Sequence, residues 1–170
     1  ISPDGVHLVF EENTGQTGVD EMMLRLDKDP STLFGPAPSA GPARVQDLVH
    51  SAFSKRNGDI APDGRWLAYQ SDESGQLEIY VRPFPDVNAG RWQVSTGGGT
   101  RPLWARNGQE LFYLAPSGAP TSVRVDRGAA WTAGAPTKLL EGRYFVGTGN
   151  LGRTYDVSPD GKRFLMIKPV

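Results

Sequence analysis

The chain has 170 residues and a formal net charge of −1, and its 21 Gly and 14 Pro together make up about a fifth of the residues against a usual ~12%. Apolar residues at 38% exclude a disordered linker, and no stretch approaches the ~18 consecutive apolar residues of a membrane-spanning helix. The absence of Cys excludes disulfides, thiolate metal sites and Cys nucleophiles, and the near-neutral charge lacks the polybasic signature of nucleic-acid or anionic-lipid binding. The length fits one domain or a stretch of a larger one. No basic-then-apolar leader opens the chain, so no signal peptide is expected here, and Ile1 in place of Met points to residues removed or left out ahead of it.

A turn signal recurs along the chain, at Ser2-Pro3-Asp4-Gly5, Ala61-Pro62-Asp63-Gly64, Ala105-Arg106-Asn107-Gly108 and Ser158-Pro159-Asp160-Gly161. Asp-Gly and Asn-Gly pairs tolerate the positive φ of tight hairpins, and a type I′ turn is expected at each. The intervals between these glycines are 59, 44 and 53, a repeat of about 44 residues with loop insertions. An apolar run follows each turn at fixed offsets: Leu8-Val9-Phe10, Leu67-Ala68-Tyr69, Leu111-Phe112-Tyr113 and Phe164-Leu165-Met166. Apolar residues at consecutive positions predict strands buried on both faces. A second strand follows through a polar turn, over Met22-Met23-Leu24-Arg25-Leu26, Leu77-Glu78-Ile79-Tyr80-Val81-Arg82 and Ser122-Val123-Arg124-Val125. A third closes the unit, over Arg91-Trp92-Gln93-Val94-Ser95 and Thr137-Lys138-Leu139-Leu140, and a short strand such as Arg101-Pro102-Leu103-Trp104 precedes the turn.

Each unit therefore reads as four short antiparallel strands, and no window shows a helical period. Such sheets need a neighbour on each face, and stacking them radially gives an all-β β-propeller. A β-sandwich is the alternative, but its strands do not recur with a fixed motif at this period. The blades are expected at about 1–54, 55–97 and 98–142, with a partial blade at about 150–170, or about three and a half blades in all. Blade one nearly lacks its innermost strand, and the last blade stops after two. Missing strands that belong to a longer chain are the more ordinary explanation, and the alternative is a second copy that completes the ring, its spare inner strand at Tyr155-Asp156-Val157 filling blade one.

The phrase Ala61-Pro62-Asp63-Gly64-Arg65-Trp66-Leu67-Ala68-Tyr69-Gln70-Ser71-Asp72-Glu73-Ser74-Gly75, with Glu78-Ile79-Tyr80-Val81 after it, resembles the TolB-like, SPDG-type repeats of WD40-related propellers. The stretches Trp92-Gln93-Val94-Ser95-Thr96-Gly97-Gly98-Gly99 and Glu110-Leu111-Phe112-Tyr113-Leu114 extend the similarity over nearly the whole chain. Such repeats are found C-terminal to bacterial Ser/Thr protein kinase domains. The resemblance implies a propeller of six to eight blades serving as a binding platform, enzyme gate or scaffold, and it slightly favours an extracytoplasmic or periplasmic location. No kinase motif stands in this chain: there is no Gly-rich loop with its Lys, no His-Arg-Asp and no Asp-Phe-Gly.

His7 and His50 are the two histidines, and Ser51 beside His50 is sequence adjacency rather than triad geometry. No Gly-x-Ser-x-Gly elbow exists, and two histidines without short spacing do not suggest zinc. No cofactor is expected. Gly97-Gly98-Gly99 precedes a strand rather than a helix, so it reads as a crossover between blades and not a phosphate cradle. Asp4, Asp63 and Asp160 read as turn-formers that bond their own backbone rather than as calcium ligands, which need six to eight converging oxygens. The Pro-rich insertion from Pro30 to Pro42 is read as an inter-blade loop, with a recognition loop as the sharper alternative.

Arginines stand just ahead of the inner strands. Arg56 and Arg153 lie eight residues before their turn glycine and Arg101 seven before, while Asp59 and Asp156 lie five before theirs. Inner strands line a propeller's channel, so these residues are the candidate ring at one mouth. Arg suits carboxylate, phosphate or sugar hydroxyls there, and Arg–Asp pairing between blades is the structural alternative. The expected function is a non-catalytic ligand- or protein-binding propeller, sensory or scaffold, taking a protein or a small polar or anionic ligand at the channel face. The alternative is an accessory or gating propeller of a kinase or peptidase whose catalytic part lies outside this chain. A lyase or lactonase-type propeller would need clustered His, Asp or Glu on inner strands.

Overall fold

The computed structural model describes residues 1–13, 15, 18–26, 45–126, 131–142, 144–147 and 152–168, all without helix. The Pro30–Pro42 insertion lies outside the described residues. Four antiparallel sheets follow one another in chain order. The first holds β1 (His7–Asn13), β2 (Val19–Arg25) and β3 (Val45–Val49). The second holds β4 (Lys55–Ile60), β5 (Trp66–Ser71), β6 (Glu78–Pro83) and β7 (Trp92–Gln93), paired in that order. The third runs β8 (Thr100–Trp104), β9 (Glu110–Leu114) and β10 (Pro120–Asp126), and its outer strand is split into β11 (Thr132–Ala133) and β12 (Thr137–Lys138), both on β10. The fourth pairs β13 (Tyr155–Val157) with β14 (Phe164–Met166).

The apolar offsets after each turn place these strands, and the period-2 alternation then stacks the sheets. On β5, Leu67 and Tyr69 pack toward the first sheet with Met23, Leu48 and Val49. Their neighbours Trp66 and Ala68 pack toward the third sheet with Trp104, Leu111, Tyr113 and Val123. Leu103, Phe112 and Leu114 of the third sheet meet Tyr155 and Val157 of the fourth. β5 is accordingly buried along its whole length. The same run in the fourth sheet leaves Leu165 75% exposed, because no sheet among the described residues covers that face. The chain's four tryptophans, Trp66, Trp92, Trp104 and Trp131, form one aromatic cluster between the second and third sheets, with ring centroids 5.3–6.4 Å apart. Trp66, Trp104 and Trp131 are buried and Trp92 partly so, and each buried side chain of this kind contributes about 1.5–3 kcal/mol to the joint.

The turns differ from the expected type. Gly5, Gly64, Gly108 and Gly161 have φ of 72°, 71°, 66° and 72°. The Asp or Asn before each glycine keeps negative φ, since Asn57 and Arg101 are the non-Gly residues with positive φ among those described. The glycine N–H bonds the carbonyl three residues back, as Gly64 does to Ala61 at 2.8 Å. Proline in the second position favours this type I geometry, with the glycine as the left-handed residue after it, over type I′. The turn Asp and Asn side chains accept the N–H two residues on, from Val6, Arg65, Gln109 and Lys162 at 2.9–3.1 Å. That is the turn-forming role expected of Asp4, Asp63 and Asp160. Hydrogen bonding from Ser2 holds the exposed Asp4 carboxyl below its ordinary pKa, and Ser158 does the same for Asp160.

A Cβ at Gly64 would meet only Pro3 Cδ at 3.8 Å, and one at Gly161 would meet nothing within 4 Å. The cost of Gly64→Val or Gly161→Val is therefore backbone strain alone. We expect a loss of about 1–3 kcal/mol from each in urea unfolding, and unchanged midpoints would contradict the turn assignment.

Candidate functional site

The inner strands of the second and third sheets carry the same irregularity. The ladder between β4 and β5 slips between Arg56 and Asp59, and that between β8 and β9 slips between Thr100 and Leu103. Each bulge holds a residue in the left-handed region, Asn57 at φ 57° and Arg101 at φ 54°. Each is pinned from the preceding sheet. Glu11 Oε1 accepts the Asn57 N–H at 2.7 Å, and Gln70 Oε1 accepts the Arg101 N–H at 2.8 Å. Glu11 and Gln70 both stand six residues past their turn glycine, so the repeat places the two acceptors alike. The adjacent Gly58 donates its N–H to Glu21 Oε1 at 2.7 Å, and a Cβ on Gly58 would lie 2.7 Å from Glu21 Oε2. Glu21 is buried beside Glu11, and burial first, then that neighbouring charge, pushes its pKa up to about 8.

Arg101 is held from several sides. Beyond the Gln70 bond, its carbonyl accepts the Tyr155 hydroxyl at 2.9 Å, and its Nε donates to the Gly152 carbonyl at 3.0 Å. Tyr155 is fully buried, which raises its phenol well above the usual range. A strained φ persists only where surroundings over-determine it, and here three elements do so. Asp59 links the inner strands. Its Oδ2 accepts the Trp104 N–H at 2.8 Å, and its Oδ1 accepts from Arg153 at 3.0 Å. Burial raises the Asp59 pKa against the opposing pull of Arg153. Asn57, Gly58, Arg101, Pro102 and Arg153 line a pocket of about 130 Å³ on this wall.

Of the five residues picked from sequence, Asp59, Arg101 and Arg153 come together here, and Asp59–Arg153 is the inter-blade pairing weighed as the structural alternative. Arg56 lies in the β4–β5 ladder opposite Gln70 and is not in the pocket lining. Asp156 lines a different groove of about 360 Å³ with Arg106, Ser158 and Arg163, and its Oδ1 accepts the Val157 N–H at 2.8 Å. The two histidines are apart in role. His7 packs edge-on against Phe84 at 5.6 Å, and His50 Nδ1 lies 2.8 Å from Asp20 Oδ2.

Besides Glu21, the buried carboxylates Asp20 and Glu78 are not among the sequence candidates. Asp20, fully buried at the start of β2, holds Lys55 Nζ at 3.0 Å as well as His50. Lys55, only 2% exposed, also donates to the carbonyls of Ser51 and Phe53. Glu78, in the matching position on β6, accepts from Ser95 Oγ and from the Gly98 N–H at 2.9 Å. In both sheets a buried carboxylate at the start of the strand, β2 or β6, clamps the crossover to the next blade. The Gly97-Gly98-Gly99 run is thus a crossover, with the Gly98 N–H spent on the Glu78 carboxylate and the Gly99 N–H on the Leu77 carbonyl. Among the described residues no group of three His, Cys, Asp or Glu is placed to hold a metal ion.

No protein-family model matches the chain, and no curated protein matches it. Solved structures do. A protein named TolB from Agrobacterium tumefaciens matches with a TM-score of 0.55 and 16% identity, over 81% of this chain and 48% of that one. TolB from Acinetobacter baumannii matches with a TM-score of 0.51 and 14% identity, over 94% and 46%. A protein described as a 6-phosphogluconolactonase, from Bacteroides uniformis, matches with a TM-score of 0.58 and 16% identity, over 98% and 45%. The chain therefore spans about half the length of each. At these identities the fold is what is shared, a TolB-like β-propeller built from four-stranded antiparallel blades. No helix of the described residues is long and apolar enough to cross a membrane.

Proposed function

We propose that this propeller is a non-catalytic binding module that engages a protein or a small polar or anionic ligand at the channel-facing ends of its inner strands. The observation that carries the reading is the convergence of Arg101 and Arg153 on one pocket of the inner-strand wall, with Asp59 paired to Arg153. A rigid wall with prepaid backbone strain suits recognition, since its donors need no ordering when a ligand arrives. The histidines fit the same reading, because the His7 ring packs on Phe84 while its main-chain N–H donates to Ser2 Oγ, and the His50 ring is engaged by Asp20. In this reading the module works as a sensory or scaffold platform, or as the accessory propeller of a kinase or peptidase whose catalytic part lies in other sequence, with an extracytoplasmic setting.

The test is turnover. The purified chain is expected to leave peptide, glycoside and lactone substrates unchanged, 6-phosphogluconolactone included. Turnover abolished by a single point mutation would refute a non-catalytic module.

A further inference from the structure

We propose that Glu11 and Glu21 form a proton-controlled latch on the inner-strand wall. With Glu21 protonated, both carboxyls hold the Asn57–Gly58 bulge, and loss of that proton drives Glu11 into solvent and releases the Asn57 N–H. The geometry comes from two adjacent strands. Glu11 of β1 and Glu21 of β2 are register partners in one ladder. They take successive N–H groups of one bulge, Asn57 to Glu11 Oε1 and Gly58 to Glu21 Oε1, each at 2.7 Å. Like charges directly opposite on a sheet repel, and two carboxylates sharing one site do not both ionise readily.

The two acids are not equivalent. Glu21 is 1% exposed, whereas Glu11 is exposed. The Glu21 carboxyl lies so close to Gly58 that a Cβ there would come within 2.7–2.9 Å of its atoms. Glu21 is boxed in, and Glu11 is the arm that can leave. Among the described residues, Glu11 from β1 is the charged side chain that acts on Glu21, while β3 presents Val49 in register and β4 presents the Gly58 N–H. The charged neighbours of the bulge on β4 are Arg56, in the ladder opposite Gln70, and Asp59, which is bonded to Arg153 and to the Trp104 N–H. Burial and then the Glu11 charge raise the Glu21 pKa to about 8, against the pull of the Gly58 N–H.

Asn57 is the part that responds. Its φ of 57° is uncommon outside glycine and persists while its surroundings hold it. Glu11 supplies the bond from the first sheet, and without it the Asn57 N–H stands free on the wall of the 130 Å³ pocket. The third sheet carries a built-in control. Arg101 holds the matching φ of 54° through its N–H to Gln70, a neutral amide in the place of Glu11. Loss of a proton from a carboxyl has nothing to act on there.

The experiment titrates the full chain from about pH 5 to about pH 9, reading the Glu11 and Glu21 carboxyl carbons and the backbone signals of Asn57 and Arg101 by nuclear magnetic resonance. The Glu21 carboxyl and the Asn57 backbone are expected to move together with a midpoint near 8, while Arg101 stays still. Glu21→Gln is expected to abolish the Asn57 transition. Glu11→Gln copies Gln70, keeping the bond and removing the repulsion, so the Glu21 midpoint is expected to fall and Asn57 to stop responding. Glu11 is exposed, so this variant carries the comparison even where Glu21→Gln fails to fold. A Glu21 midpoint in the ordinary carboxylate range, a still Asn57 as Glu21 titrates, an equal response at Arg101, or an Asn57 response that persists in Glu11→Gln would each overturn the latch.

Discussion

Asp20→Ala is expected to destabilise the fold by about 3–5 kcal/mol. Asp20 and Lys55 are 0% and 2% exposed in their side chains and 3.0 Å apart. Removing the carboxylate leaves the Lys55 ammonium buried with only neutral partners named for it, the Ser51 and Phe53 carbonyls. Solvating that charge requires opening the crossover between the first and second sheets. Replacing both partners with apolar residues of similar volume, as in Asp20→Leu with Lys55→Met, is expected to cost clearly less than the sum of the single changes, because no charge is then stranded. Urea unfolding of the singles and the double measures this. A loss below about 1 kcal/mol in Asp20→Ala would show that the clamp carries little of the joint.

The second large effect is a pH dependence centred on Glu21. Its folded pKa is raised to about 8 from 4.5, so the folded state binds the proton more tightly than the unfolded state does. Stability contributed by the neutral carboxyl is fully present below pH 4.5 and is lost as pH rises through about 8. At 1.36 kcal/mol per unit the full swing is about 3–5 kcal/mol. Glu21→Gln keeps an oxygen for the Gly58 N–H and cannot ionise. It is expected to be more stable than the parent at pH 9 and to flatten the decline between pH 5 and 9. The Glu11 charge raises the Glu21 pKa, so Glu11→Gln is expected to move the decline to lower pH and to shrink it. Identical pH profiles for the parent and Glu21→Gln would contradict the assignment.

The blades were legible because their signals are local. A glycine needing positive φ and apolar residues at fixed offsets after it place the turn and the strand together, whatever the rest of the chain does. The turns are type I rather than the type I′ that Asp-Gly or Asn-Gly suggests, and in three of the four a proline in the second position favours that geometry. The site was partly legible. Arg101 stands one position out of phase with Arg56 and Arg153, and that offset is the bulge: Arg101 matches Asn57 rather than Arg56. The same phase explains why Arg56 sits in the ladder. The crossover clamps were not legible, since Asp20 finds Lys55 and His50 at separations of 35 and 30 residues, and Glu78 finds Gly98 at 20. Sequence spacing carries no trace of such pairs, and an acid opening a strand reads as a solvated end.

The central claim is that the inner strands form one preset wall, tied blade to blade by the backbone N–H groups of Asn57, Gly58, Arg101 and Trp104. Amide hydrogen exchange at these four positions tests it most directly. The account predicts protection comparable to the central strand β5, although none of the four bonds belongs to a strand ladder. Exchange as fast as in the exposed turn at Gly75 would mean that the blades are not joined there, and that the candidate site is not preset.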